Sequence, residues 1–139
     1  MRKFRLAAIF TCLLALPCEA LEWDSITIDC KLTAISMLND DKGHLTAVPP
    51  TPKDAFLITF TGFDDKTSRA TMVGNNGSSP VLFFDAMGHV QLIEITEGKN
   101  VATTTITING AEVNAVHTRH MAMFDGGTMS VYSGPCRVR

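Results

Sequence analysis

The chain lacks three short motifs by which many enzymes are recognised, and the expectation is that it is not an enzyme. No G-x-S-x-G elbow, no H-E-x-x-H pair and no phosphate-binding glycine loop occurs in it, so the sequence sets out no nucleophile and base, no metal-hydrolase helix and no nucleotide cradle. The acidic pairs Asp40-Asp41 and Asp64-Asp65 sit beside turn residues and read as solvated tips, not as a general acid and base. A basic run is missing too: 12 Lys and Arg stand against 14 Asp and Glu, which excludes the electrostatic footprint of a nucleic-acid partner. Beyond the first twenty residues no apolar run approaches the roughly 20 residues of a membrane helix. No segment carries apolar residues at convincing helical spacing, and no internal repeat is visible.

What is present begins with M-R-K-F-R followed by an apolar stretch from Leu6 to Leu16 and then Pro17-Cys18-Glu19-Ala20. A charged start, a short apolar middle and small residues before a cleavage point are the parts of a secretory signal peptide. Residues 1–20 are therefore expected to be removed, leaving Leu21 to Arg139 as one β-domain in the periplasm or outside the cell. Acylation of Cys18 is the rival reading, and Pro17 fits it poorly because such sites want a small residue there. Arg2, Lys3, Arg5 and Glu19 leave with the leader, so the mature chain is more acidic than the whole.

Of four cysteines, Cys12 and Cys18 belong to the leader. Cys30 and Cys136 remain, and in an oxidising compartment two lone cysteines are expected to form a disulfide. They lack the C-x-x-C spacing that tunes thiol reactivity. A bridge closing so large a loop corresponds to about 4 to 5 kcal/mol in the chain-entropy model.

The mature chain reads as strands joined by turns. Ile26 to Leu32 alternates apolar and polar, which places Cys30 toward the core. Phe56 to Phe63, Arg69 to Val73, Pro80 to Asp85, His89 to Thr96, Val101 to Ile108, Glu112 to Phe124 and Thr128 to Tyr132 follow. The sixth strand is made almost wholly of β-branched residues, which prefer pleated backbone, and Asn109-Gly110 after it signals a tight hairpin. Gly74 to Ser79 reads as a flexible turn. Asn39 to Asp54, rich in Pro and polar residues, reads as a long loop and a candidate lid. The expectation is an all-β antiparallel meander of about eight strands, with a β-sandwich as the alternative. Closure as a small barrel is favoured because a bridge from the first strand to the last makes them neighbours, and closure abolishes sheet edges.

The stretch A-V-H-T-R-H-M-A-M, Ala115 to Met123, holds two of four histidines. On a strand, side chains alternate, so His117, Arg119 and Met121 share one face while His120 lies on the other with Thr118 and Ala122. His117 and His120 therefore do not form a chelate. Met121, Met123 and His117 do share a face, and thioether with imidazole suits Cu(I). Small periplasmic copper carriers are β-barrels with an M-x-M pair, a histidine and a nearby Trp, and the chain resembles them in composition at Met121, Met123, His117 and Trp23. The same methionines also read as core residues filling irregular gaps.

A broader resemblance covers about residues 89 to 136. T-T-T-I-T-I, V-H-T-R-H and Y-S-G-P-C look like segments of small exported proteins of Gram-negative bacteria that carry a V-H-[ST]-R-H strand and a terminal Y-x-G-x-C. That resemblance implies a periplasmic β-fold and brings no assigned activity or substrate with it, and it makes His117, Arg119, His120 and Tyr132 the candidate ligand-binding residues. The functional expectation is a non-enzymatic barrel without cofactor that binds a small apolar or amphipathic ligand, or an envelope protein partner. A copper binder and a structural or assembly factor of the envelope are the alternatives.

Overall fold

The structure, a computed structural model, describes residues 22–50, 55–86, 88–123 and 126–139, and the side chain of Met123 is not among what it describes. The expected leader, residues 1–20, lies outside those residues. Nine strands make one antiparallel sheet: β1 Ile28–Asp41, β2 His44–Val48, β3 Phe56–Asp64, β4 Arg69–Gly74, β5 Gly77–Ala86, β6 His89–Ile95, β7 Val101–Asn109, β8 Glu112–Met123 and β9 Gly126–Val138. A short 3-10 turn, Trp23–Ser25, precedes them. Strands β1 and β3 to β9 pair in sequence order, and β9 returns to pair with β1, so eight strands close as a barrel and β2 is an extra strand hydrogen-bonded to β1 alone. Barrel, not sandwich, is what the alternating strands build.

Alternation along the strands fills the barrel. In β1 Ile28, Cys30, Leu32 and Ala34 point inward, and in β7 Ala102, Thr104 and Ile106 do the same. Phe60, Phe63, Val90 and Leu92 complete a packed centre, where each fully buried apolar side chain contributes about 1.5–3 kcal/mol. Cys30 and Cys136 lie directly opposite each other across β1 and β9 and are joined as a disulfide, which ties the first barrel strand to the last as the sequence implied. Beside them, a Cβ on Gly134 would collide with the carbonyl of Lys31. That close approach of β9 to β1 is open only to glycine.

Two turns depart from the sequence reading. Asn39 to Val48 is not part of a long loop: Asn39 to Asp41 end β1, Lys42 and Gly43 form a two-residue turn with φ of 53° and 86°, and His44–Val48 returns as β2. Asp40 stabilises that turn, its Oδ1 accepting from the Gly43 N–H at 2.7 Å, a side-chain bond that carboxylates make readily in turns. Residues 51–54 lie outside the described part. Gly74 to Ser79 is likewise tighter than expected, because β5 already begins at Gly77 and only Asn75 and Asn76 separate it from β4. The Asn-Gly hairpin is present, with Asn109 paired to Glu112 and Gly110 at φ 58° in the connection.

The two ends of the barrel differ. At one end the indole of Trp23 packs on Phe63 and Phe83, centroids 5.2 and 5.9 Å away, and its Nε1 donates to Asp85 at 3.2 Å. Backbone bonds between Thr27 and Arg139 close the chain ends over the same region. The opposite end carries the turns β1–β2, β4–β5 and β6–β7, and its aromatic contacts, Phe56 with Tyr132 and His117, include a polar ring. The β1–β2 hairpin extends past that end, and His44 to Ala47 are exposed.

Candidate functional site at the open barrel mouth

Inward-facing positions near the open end change from apolar to polar. On β6 the series Val90, Leu92, Glu94 runs from core to mouth; on β8 the series is Ala115, His117, Arg119; on β5 it is Phe83, Val81, Ser79. Together with Phe56, Ile58 and Met72 these polar groups line a cavity of about 480 Å³, within the size range of small-molecule sites. One wall is apolar, and the polar side chains converge from three strands far apart in sequence.

His117 is 2% exposed. Its Nδ1 lies 2.8 Å from Thr104 Oγ1, a hydrogen bond that either partner can donate, and its ring meets Phe56 at 5.5 Å and Tyr132 at 6.1 Å. Burial, and secondarily the positive charge of Arg119, push its pKa down from 6.5 to about 4. At neutral pH the ring is therefore uncharged. With Nδ1 engaged by Thr104, Nε2 is the nitrogen left for the cavity.

Glu94, Ala102 and Arg119 are register partners across β6, β7 and β8 and so form one lateral row. The carboxylate accepts a short hydrogen bond from the Ser79 hydroxyl at 2.6 Å. Glu94 and Arg119 do not form an ion pair with each other: the one salt bridge among the described residues joins Arg139 to Asp29. Ser79 donates to Glu94 and not to an imidazole, so serine, histidine and carboxylate share the cavity without the serine–imidazole contact that activates a nucleophile.

The candidates named from sequence are distributed over three places. His117 and Arg119 reach the mouth together. Tyr132 is buried behind them, edge-on to Phe56 at 4.8 Å. His120 faces outward, opposite Val101 on β7 and Met129 on β9, and borders a wider depression of about 580 Å³ on the outer surface with Leu38, Leu45 and Met129. That depression is the larger of the two, but its wall is a protruding Leu45, 71% exposed, and it collects fewer convergent polar groups. The mouth is the better candidate.

Met121 borders the outer depression while His117 lines the mouth, and the side chain of Met123 lies outside the described residues. Trp23 is at the opposite, plugged end of the barrel. Among the described residues no three His, Cys, Asp or Glu side chains come together as a metal site, and no helix is long and apolar enough to cross a membrane.

Glu94 and Ser79 were not singled out by the sequence reading. The sign was there: each interrupts an inward-facing apolar series at its mouth end. In comparisons with known proteins, the chain matches no protein-family model, no curated protein and no solved structure.

Proposed function

We propose that the protein is an exported, non-enzymatic binding barrel that holds a small amphipathic ligand in its open mouth. The observation that carries this reading is the cavity itself: one end of the barrel is sealed by aromatic packing, whereas the other gathers Glu94, Arg119, Ser79 and His117 over an apolar wall. A concave site that joins apolar surface to convergent polar groups from several strands is a usual form of a small-ligand site, and the mouth has both. The disulfide supports an oxidising compartment. The pairing of Ser79 with Glu94 supports binding over hydrolysis.

Native mass spectrometry of the mature protein, released gently from the periplasm without chelator, tests the reading. An added mass of roughly one to a few hundred daltons, as a cavity of this class accepts, is expected on the wild type and not on Met72→Trp, which fills the mouth. A bare protein mass from fresh extract would contradict it.

A further inference from the structure

We infer that the ligand of the mouth is a small zwitterion carrying an apolar body, its cationic group held by Glu94 and its anionic group by Arg119. The inference rests on the mouth being a binding site and names what that site selects.

Glu94 and Arg119 enter the cavity from strands two apart, in one register row. Adjacent strands lie about 4.8 Å apart, so their backbones are about 10 Å apart. Between them stands Ala102, whose methyl is too short to bridge the space. Long side chains of opposite charge reaching inward over that distance can close on each other. Here they do not, and no salt bridge joins them.

Each charge is instead left with an incomplete shell. Glu94 is only partly exposed and accepts one hydrogen bond, from Ser79. Arg119 is also only partly exposed, with no ion pair among the described residues. Neither charge has a counter-charge among the described residues, and a ligand that supplies both partners satisfies both. An uncharged ligand satisfies neither.

Net charge narrows the class further. His117 stays neutral under burial, so the formal charges of Glu94 and Arg119 cancel within the cavity. A singly charged ligand gains one partner and meets repulsion from the other group. A ligand with separated opposite charges gains both, which is specificity by attraction and repulsion together. Phe56, Ile58 and Met72 offer apolar surface alongside, and the ring of His117 presents a neutral nitrogen. An α-amino acid with an apolar side chain, or a short peptide-like zwitterion, has this arrangement of groups.

Calorimetric titration with three probes of one shape tests the inference: L-phenylalanine as zwitterion, N-acetyl-L-phenylalanine as anion and L-phenylalaninamide as cation. The zwitterion is expected to bind at least tenfold more tightly than either analogue. Glu94→Gln should turn the preference to the anion and Arg119→Gln to the cation, with circular dichroism unchanged in both. Equal binding of all three, or the anion binding best to the wild type, overturns the inference. A native adduct in the mouth together with no binding of any probe overturns the zwitterion class while the binding reading stands. Neither adduct nor probe binding overturns both.

Discussion

The two ends of this barrel are made from the same alternating strands and opposite side chains. At the plugged end, Trp23, Phe63 and Phe83 meet at centroid distances of 5.2 to 5.9 Å, and the buried series are wholly apolar. At the mouth, the inward positions of β5, β6 and β8 become Ser79, Glu94 and Arg119. Burial of apolar surface is the dominant favourable term in folding, whereas partly buried charges cost stability unless partnered. The plugged end therefore contributes more to the stability of the fold than the mouth does.

The comparison can be tested from its strongest consequence to its weakest. Reducing the Cys30–Cys136 disulfide, which joins β1 to β9 in the plugged half, removes a constraint on the unfolded chain of about 4 kcal/mol. The melting temperature should fall clearly with reductant, and a free-thiol assay on the native oxidised protein should find neither cysteine. Phe63→Ala, at 2% exposure, tilted against Trp23 and edge-on to Phe83, should cost about 3–5 kcal/mol in urea unfolding, as large aromatic truncations in cores do. A loss under about 1 kcal/mol would mean that the plug is not part of the core.

The mouth should respond to pH instead. Folded His117 has a pKa near 4 against 6.5 for an unperturbed ring, so between those values the unfolded chain holds a proton that the folded chain does not. Its contribution is complete above pH 6.5 and is lost as pH falls toward 4, up to about 3 kcal/mol by linkage. Unfolding at pH 7 and pH 4.5 should show this loss in the wild type and a smaller one in His117→Gln. At the weakest end, Arg119→Gln should change stability by no more than about 0.5 kcal/mol while abolishing retention of the small molecule. A large stability loss there would make Arg119 a structural residue.

Much of the framework was legible along the chain. Alternation from Ile26 to Leu32 placed Cys30 inward, β-branched residues marked β7, and Asn109-Gly110 marked its hairpin. Closure followed from the cysteines because only a rolled sheet brings β1 beside β9. The β1–β2 hairpin was hidden by the prolines after it, which made sixteen residues look like one loop, although Lys42-Gly43 between two β-prone runs is a turn signature. A register shift between Ala34 and Ser36 carries no sequence mark at all.

The mouth was less legible because it is non-local. A strand shows which residues share its own face, so His117 with Arg119 was readable, and His120 was correctly set on the opposite face. It does not show that Glu94 on β6 and Ser79 on β5 arrive at the same end of the barrel as His117 and Arg119, which depends on register across the four strands β5 to β8. One rule would have found them: in a closed barrel, a polar residue ending an otherwise apolar inward series points into the same mouth as every other such residue.

Amide chemical-shift mapping by NMR tests the central claim most directly. Protein stripped of ligand is titrated with the small-molecule fraction of a periplasmic extract. Shifts concentrated at Ser79, Glu94, His117 and Arg119, with Trp23 and Phe83 unmoved, are the predicted result. Shifts centred on Leu45, His120 and Met129 would place binding on the outer surface and contradict the account.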